Sequence, residues 1–541
     1  MVKKSFEKKQ RFLHIPVKSK AAEQAYYVDV EADGVVKNEL LIAVCRPGED
    51  YDFYVALDMN RYQAEQITLI CQDENAAEDL FDAIVVGGAM GEEKELYPGL
   101  YEEEIRQQIH FSPARGWMND PNGLFYKDGV YHMYFQHNSF ANHHFCTNVS
   151  WGHATSTDGV HFTEHGDAIM PRNSRLHIAS GSAMVDQYNI SGLGKGTVLA
   201  AYTDLITLQY HGRPKVCGGG GQNVLYSLDD GMTYQYFENN PVISVPDHEY
   251  WRDPKILQVD EKTLCIAVYE TFEGKDCVSF YKSTDCVNWE FCSRDMDLYE
   301  CPDLFVLQAE ETGEWLWVLY GASGMYRVGS FEDFKFCSNG STGYIDYGDC
   351  VYAGQTFNNY DDPQKRLYIA WMRDHERPWD YKEDELYKEM GFSQSMGLLT
   401  ELSLHKTPEG YQLFRKPVKA LEELRMEQYE AELSGEVKIP VPGEVVFELD
   451  GSKDAEVRMG KAGFSYDAKT HQITTSSEKK YTLGHAEKLS LRILIDKRSA
   501  EMYVNDEIAM SFFVKAEEEA LTVTAEGSVK ATVYALKSIW K

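Results

Sequence analysis

The chain lacks the features that would mark it as a membrane, secreted or zinc-binding protein. No segment approaches the roughly 18 consecutive apolar residues that a membrane helix requires. The 11 cysteines are scattered and include no CxxC pair, so their spacing offers no zinc site and fits free thiols in a reducing compartment. The basic residues near the start are not followed by the apolar stretch of a secretory signal, which predicts a cytoplasmic location.

Positive charge is also in short supply. Lys and Arg total 53 against 86 Asp and Glu, which gives a formal net charge of −33. A chain this acidic repels phosphate backbones and anionic lipid surfaces, so we expect neither nucleic acid nor membrane as a partner. A neutral substrate suits it better than a polyanion. The aromatic share of 13% is typical of sugar sites and equally of packed β-sheets.

The distribution of short strands predicts an all-β chain of three parts. A single core rarely extends beyond about 250–300 residues, so 541 residues imply more than one domain. Residues 1–105 predict a small N-terminal β-rich module, residues 106–425 a larger β domain, and residues 430–541 a C-terminal β-sandwich. The segment 418–429, which joins the last two, predicts a charged amphipathic helix or a linker.

A weak internal repeat runs through the larger domain. Ser156-Thr157-Asp158, Ser227-Leu228-Asp229 and Ser283-Thr284-Asp285 each resemble a strand end followed by an Asp turn. Repeated small sheets around an axis form a β-propeller, whereas a β-sandwich is the alternative from pattern alone. We favour the propeller.

Three acidic residues in this domain are each followed closely by proline. They are Asp120 in Trp117-Met118-Asn119-Asp120-Pro121-Asn122-Gly123, Asp253 in Arg252-Asp253-Pro254, and Glu300 in Glu300-Cys301-Pro302-Asp303. Proline restricts its own φ and pushes its predecessor toward extended geometry, so the backbone helps to set the direction of each acid. Taken singly, each segment is also typical of an ordinary turn or a surface pair.

Together and in this order, the three segments resemble the signature of glycoside hydrolase family 32, which includes invertases, inulinases and levanases. The resemblance continues in Tyr134-Phe135-Gln136-His137-Asn138, Trp151-Gly152-His153-Ala154 and Ile369-Ala370-Trp371-Met372. It covers about residues 106–425 and implies a five-bladed β-propeller followed by a β-sandwich.

The resemblance also implies roles for individual residues. Asp120 would be the nucleophile, Glu300 the general acid/base, and Asp253 the stabiliser of the transition state that holds two fructose hydroxyls. The fructose pocket would be lined by polar and aromatic side chains: Trp117, Asn119, Gln136, Ser180, Arg252, Trp151 and Trp371. For Trp151 and Trp371, packing beneath the pocket is an equal alternative. No cofactor or metal is implied.

The chemistry accounts for three carboxylates. Cleavage of a ketofuranoside builds positive charge at C2, and a carboxylate about 5–5.5 Å from the acid can attack directly and give net retention. Glu300 must carry a proton for the leaving oxygen, which the negative charge of two neighbouring carboxylates favours.

We therefore expect a retaining, exo-acting β-fructofuranosidase that acts on sucrose or short fructo-oligosaccharides. The alternatives are a fructosyltransferase of the same fold and a non-catalytic fructan-binding relative. An arabinan- or xylan-cleaving enzyme is disfavoured by the intact motifs. The oligomeric state stays open between a monomer and a homo-oligomer, because the N-terminal module could form a dimer contact or narrow the pocket.

Two segments depart from the family pattern. Cys146 stands where a rim tryptophan is usual, which would reshape the rim beyond the fructose. Gly218-Gly219-Gly220-Gly221 follows Cys217, and we expect it to be a flexible connector rather than a mobile rim element. No Lys-Ser/Thr follows these glycines, so they do not fit a phosphate-binding loop.

Overall fold

The computed structural model describes a chain built from β-strands. The described residues are 1–19, 24–142, 148–207, 217–244, 250–360, 362, 364–373, 387, 390–433, 435–484, 487–514, 520–525 and 529–540. None of the helices within these ranges has the length and apolar character of a membrane-spanning segment.

The N-terminal strands form two small antiparallel sheets, with orders β1-β6-β3-β4 and β5-β2-β7. The strands are β1 (Val2–Glu7), β2 (Phe12–Val17), β3 (Tyr26–Ala32), β4 (Val35–Ile42), β5 (Phe53–Asp58), β6 (Gln66–Cys71) and β7 (Val85–Gly87). Alternate residues of β3 (Val28, Val30 and Ala32) are buried, as period-two patterning requires. These residues help to form a core between the two sheets.

The middle strands form five sheets. They are β8 (Gly116–Lys127), β9 (Val130–Asn138), β10 (Ser150–Ser156), β11 (Thr163–Ile169), β12 (Leu176–Asp186), β13 (Thr197–Thr207), β14 (Cys217–Ser227), β15 (Gln235–Tyr236), β16 (Trp251–Gln258), β17 (Leu264–Phe272), β18 (Lys275–Ser283), β19 (Glu290–Met296), β20 (Asp303–Gln308), β21 (Trp315–Tyr320), β22 (Met325–Glu332), β23 (Lys335–Tyr344), β24 (Val351–Thr356), β25 (Arg366–Met372), β26 (Phe392–Ser393), β27 (Ser395–Met396), β28 (Thr400–Thr407) and β29 (Gly410–Pro417). The sheet orders are β11-β10-β9-β8-β26, β12 through β15, β16 through β19, β20 through β23, and β24-β25-β28-β29, with β27 on β25.

The internal repeat marks one turn that recurs in three successive sheets. Ser156, Ser227 and Ser283 end β10, β14 and β18, the third strand of each sheet along the chain. Each serine hydroxyl donates to the aspartate two residues later, over 2.9, 2.7 and 3.1 Å respectively. The short local bond closes the turn into the fourth strand.

The C-terminal strands form two six-stranded sheets, with orders β30-β41-β32-β37-β38-β39 and β31-β40-β33-β34-β35-β36. They are β30 (Arg425–Leu433), β31 (Gly435–Lys438), β32 (Gly443–Asp450), β33 (Ala455–Met459), β34 (Ala462–Asp467), β35 (Gln472–Thr475), β36 (Lys480–Thr482), β37 (Lys488–Ile495), β38 (Ser499–Val504), β39 (Ile508–Phe513), β40 (Ala520–Ala525) and β41 (Val529–Leu536). Apolar side chains from both sheets form one buried cluster, which is the arrangement of a β-sandwich.

Of the two alternatives for 418–429, a helix or a linker, the amphipathic helix is wrong. Lys419–Leu424 is a short 3-10 helix, and β30 begins at Arg425. A second 3-10 helix spans Met59–Tyr62. The charged face of 425–432 is the solvent side of an edge strand, a pattern that a surface helix shares.

A buried ionic network joins the middle sheets to the C-terminal sheets. Nδ1 of His110 lies 2.9 Å from Oδ2 of Asp496, and its Nε2 lies 3.1 Å from Oε1 of Glu501. Arg415 donates to Asp346 over 2.5 Å. All of these side chains are almost fully buried, so each charge depends on its partner.

Candidate active site

The first strands of the middle sheets contact one another. β12 packs against both β8 and β16. Gln355 in β24 donates to the carbonyl of Gly181 in β12 over 2.9 Å. The buried Lys255 in β16 donates to the carbonyl of Thr356 in β24 over 3.1 Å and pairs with Asp303 in β20 over 2.9 Å. These bonds cross between sheets, so the first strands of different sheets lie close together.

Four of these first strands carry a β-bulge near the N-terminal end of the strand. The strand ladder is interrupted between Met118 and Pro121, Ile178 and Gly181, Arg252 and Lys255, and Tyr352 and Gln355. A bulge leaves residues unpaired and re-aims their side chains, and bulges are frequent beside active sites. Asp120, Ser180 and Asp253 lie inside the first three interruptions.

The backbone at the site is strained. Asp253, Glu300, Cys301 and Ala353 have φ values of 63°, 50°, 40° and 49°, in the left-handed region that favours glycine. Each such residue costs on the order of 1–3 kcal/mol and persists only where its surroundings enforce it. One such restraint is the bond of 3.1 Å from the Asp253 backbone N–H to Oγ1 of Thr203.

Asp120 accepts a hydrogen bond from a neighbouring strand. The hydroxyl of Ser180 donates to its Oδ2 over 2.7 Å, and the Cys301 thiol lies 3.7 Å from the same oxygen. Ser180 is buried and Asp120 is partly buried.

Asp253 is buried beside the same sulfur atom. Its Oδ2 accepts from the Cys301 backbone N–H over 3.2 Å and lies 3.6 Å from the Cys301 sulfur. Nε of Arg252 lies 3.6 Å from this oxygen. Cys301 therefore stands between two of the three predicted acids, and the structure brings them together.

Glu300 is held by two donors. Arg252 donates to its Oε1, and the phenol of Tyr352 donates to its Oε2 over 2.5 Å. Arg252 also lies over the rings of Tyr250 and Tyr269, at 5.5 and 5.1 Å from their centroids. The guanidinium thus links Glu300 to Asp253 and is fixed by aromatic faces.

Burial and mutual repulsion raise the pKa of two of the acids. Burial, aided by the charges of Asp253 and Glu300, raises the pKa of Asp120 to about 7, although Ser180 and Cys301 oppose the shift. Burial and the charge of Glu300 raise the pKa of Asp253 to about 6 against the opposing charge of Arg252. The protonation of Glu300 that the sequence analysis expects stays a prediction.

The predicted polar pocket residues take two positions. Asn119, Ser180 and Arg252 lie at the acids, and the buried Oδ1 of Asn119 has no hydrogen-bond partner within the described ranges. Gln136 is buried and bonded within the protein, and its place in the pocket stays a prediction. Its Nε2 donates to the carbonyl of Ile178 over 2.9 Å, and its Oε1 lies 3.3 Å from Nε2 of His177.

The predicted tryptophans are mostly buried. Trp151 has no exposed surface, and its indole N–H donates to the carbonyl of Ala179 over 3.0 Å, which corresponds to the packing alternative. Trp117 and Trp371 keep 6% and 7% exposure, enough for a ring edge rather than a whole face. Trp371 donates to Gln394 over 3.1 Å and meets the Tyr352 ring edge to face at 6.3 Å.

Sequence reasoning missed three residues of the site. Cys301 stood inside a quoted motif, but nothing in the pattern assigned its thiol to the carboxylates. Thr203 and Tyr352 reach the acids from other strands. Thr203 stands in Tyr202-Thr203-Asp204, which also resembles the family, but neither residue was assigned a contact with an acid. Both contacts depend on which sheets become neighbours, which a local pattern does not encode.

The two departures from the family pattern have different outcomes. Cys146 lies outside the described residues. The four-glycine segment, expected as a flexible connector, lies in β14 and pairs with β13. Gly221 lies opposite Asp204 and Gly219 opposite Leu205, so the bulge falls at Gly220. A Cβ at Gly220 would approach the Asp204 carbonyl to 2.4 Å, so close strand contact explains this glycine.

Within the described ranges, no group of three or more His, Cys, Asp or Glu side chains is arranged to hold a metal ion. The chemistry that the site can perform with its own groups is that of three carboxylates, one guanidinium and one phenol.

Comparison with known proteins gives a consistent result. The model for the glycosyl hydrolases family 32 N-terminal domain matches residues 110–417. An invertase of Wickerhamomyces anomalus is 34% identical over 361 residues, which are 60% of this chain and 62% of that protein. The levanbiose-producing levanase of Bacillus subtilis (strain 168) is 29% identical over 479 residues, 78% of this chain and 89% of that protein.

Solved structures resemble the fold. The exo-inulinase from Aspergillus awamori superposes with a TM-score of 0.69 at 21% identity, covering 81% of this chain and all of that one. A fructofuranosidase from Schwanniomyces occidentalis complexed with fructose gives a TM-score of 0.64 at 24% identity over 81% of this chain and 99% of that one.

Proposed function

Since the chain belongs to glycosyl hydrolase family 32, we propose that it is a retaining β-fructofuranosidase that releases terminal fructose from sucrose or short β-fructo-oligosaccharides. The observation that carries the proposal is the meeting of Asp120, Asp253 and Glu300 around Cys301 and Arg252. A non-catalytic relative would not need three carboxylates held so close together at the cost of their mutual repulsion.

The five middle sheets are the blades of a five-bladed propeller in this proposal, and the sheets on either side of them are separate domains at about 1–105 and 430–541. The hydrogen bonds between the first strands support it, as does the similarity to the Aspergillus awamori exo-inulinase structure. Catalytic groups at one end of a propeller axis would come from several blades, which matches the distribution of the acids over β8, β16 and the approach to β20.

The first chemical step uses two carboxylates. Asp120 attacks C2 of the fructosyl unit and forms a covalent ester, while the bond from C2 to the leaving oxygen breaks and that oxygen takes the proton of Glu300. In the second step Glu300 removes a proton from water, whose oxygen attacks C2 and releases Asp120. Two inversions give net retention.

Asp253 and Arg252 assist this chemistry without forming a covalent bond to the substrate. The Asp253 carboxylate accepts hydrogen bonds from ring hydroxyls and stabilises positive charge at C2. Arg252 holds Glu300 in line, and the free Oδ1 of Asn119 accepts from a sugar hydroxyl.

The names of the relatives favour the substrate class. They include an invertase, a levanase and exo-inulinases. A cytoplasmic location stays a prediction, and sucrose or short oligosaccharides would be the sugars available there.

The test is product analysis of the purified chain with sucrose, kestose, inulin and levan. We expect free fructose as the first product, and in added methanol we expect methyl β-fructofuranoside, because retention transfers the fructosyl group with unchanged configuration. Mainly longer oligosaccharides at high sucrose concentration would indicate a fructosyltransferase. Binding without turnover would indicate a non-catalytic fructan-binding protein.

A further inference from the structure

The N-terminal sheets touch the middle domain at two segments that lead into strands of the site. β4 is the edge strand of its sheet, so one side of its backbone is free to bond elsewhere. That side meets residues 148–149, which precede β10, and residues 171–174, which precede β12. Both contacts are buried or partly buried.

Asn148 forms the first contact with its side chain alone. The Leu41 backbone N–H donates to its Oδ1 over 3.0 Å, and its Nδ2 donates to the Leu41 carbonyl over 2.6 Å. The amide thus pairs with β4 as a neighbouring strand would. Asn148 is 3% exposed and has a φ of 58°, which aims the side chain away from its own strand.

The second contact fixes the loop before β12. Nδ2 of Asn38 donates to the Pro171 carbonyl over 2.8 Å, and the Glu39 N–H donates to the Arg172 carbonyl over 3.2 Å. The carboxylate of Glu39 also accepts from the N–H and hydroxyl of Ser174. The β4 edge therefore holds the start of the strand that carries Ser180.

From Asn148 a continuous path leads to the nucleophile. The carbonyl of the next residue, Val149, accepts the Ile178 N–H over 3.1 Å. Ile178 and Gly181 flank the bulge that interrupts the pairing of β12 with β13. Residues 179 and 180 therefore have no partner in the β12–β13 register. Two residues after Ile178, Ser180 donates to Asp120.

We propose that Asn148 is a positioning residue: with the β4 edge, it sets the hydrogen bond from Ser180 to Asp120, so the N-terminal module is part of the catalytic apparatus. The inference rests on the proposed function of Asp120. Besides Ser180, the groups that face Asp120 are Asp253 from β16 and Glu300 and Cys301 from the approach to β20. In the described part of the chain, the hydrogen bonds of β4 with the middle domain go to Asn148 and to residues 171–174, so a change at Asn148 acts on Asp120 through the β10–β12 side.

The test compares Asn148→Gly with Arg61→Ala. Glycine accepts the positive φ and removes only the amide. Arg61 makes another contact between the module and the middle domain, a 2.8 Å bond to the Asp167 carbonyl in β11, an edge strand that pairs with β10 and not with β12. For Asn148→Gly we expect kcat on sucrose to fall by about tenfold, within the range for misplaced catalytic groups.

Two further readouts separate positioning from general loosening. The acidic limb of the pH profile should move to higher pH in Asn148→Gly and in Ser180→Ala, because the serine bond favours the ionised aspartate. Hydrogen exchange at residues 176–182 should become faster in Asn148→Gly and stay unchanged in Arg61→Ala. The exchange measurement does not depend on turnover, so it tests the inference even if the wild-type chain cleaves no sugar, a result that would overturn the proposed function alone.

Unchanged exchange at 176–182 in a folded Asn148→Gly protein would overturn the inference. So would equal losses of kcat in Asn148→Gly and Arg61→Ala with an unmoved pH profile.

Discussion

The phenol of Tyr352 donates a 2.5 Å hydrogen bond to Oε2 of Glu300, although 52 positions separate the two residues in the chain. Tyr352 opens the bulge of β24, and Glu300 precedes β20 in the preceding sheet. The contact therefore depends on how these two parts of the chain pack against each other. It fixes one oxygen of the proposed acid, while Arg252 fixes the other.

Removal of this phenol should lower turnover without unfolding the protein. For Tyr352→Phe we expect kcat to fall by about 10- to 100-fold, since a hydrogen bond to a charged group contributes roughly 1.5–3 kcal/mol. Steady-state kinetics measures this effect, and an unchanged kcat in the folded variant would assign Tyr352 to packing.

Part of the site follows from local sequence. The Asp-Pro and Glu-Cys-Pro segments predicted where the acids stand, and the Ser-x-Asp repeat predicted turns that the structure places in three successive sheets. Both are short-range signals, since a proline or a serine acts on residues next to it.

The rest depends on contacts between sheets. Nothing near Tyr352, Thr203 or Asn148 in the sequence indicates a partner, because the bonds to Glu300, Asp253 and Leu41 each join different sheets. For the four glycines, by contrast, the local pattern gave a wrong prediction. Their composition is typical of a loop, yet close approach of β13 makes them part of a strand.

The proposed nucleophile and acid should be indispensable. Asp120→Ala and Glu300→Gln should each lower kcat by several orders of magnitude, because one removes the attacking oxygen and the other the transferable proton. Circular dichroism and thermal melting serve as the folding control. Near-normal turnover in either folded variant would contradict the assigned roles.

Asp253→Asn should separate catalysis from stability. Burial and the charge of Glu300 raise the pKa of Asp253, so its ionised form is costly in the folded protein. We expect a large loss of kcat together with an unchanged or higher melting temperature, because the amide removes a buried negative charge from beside two others. Calorimetry and sucrose kinetics on the same sample test this, and wild-type kinetics would show that the charge is not used.

Activity should fall on the acidic side of neutrality. Burial and two neighbouring carboxylates raise the pKa of Asp120 to about 7. A nucleophile must be ionised, so kcat/KM should drop as pH falls through an apparent value near 7 that belongs to the coupled acids as a group. Ser180→Ala removes a donor to the ionised form and should move this limb upward. A flat kcat/KM between pH 5 and 8 would contradict the prediction.

Stability should depend on pH through His110 at the junction with the C-terminal sheets. Burial alone would lower the pKa of His110, but Asp496 and Glu501 raise it from 6.5 to about 9. Because the folded-state pKa is the higher one, the stabilising effect is complete below about pH 6.5 and is lost as pH rises through 9. We expect the melting temperature of the wild-type chain to fall over that interval by more than that of His110→Gln, which carries no titrating ring. The difference between the two curves cancels the contribution of other groups. Parallel curves would mean that the imidazole does not change its charge at this junction.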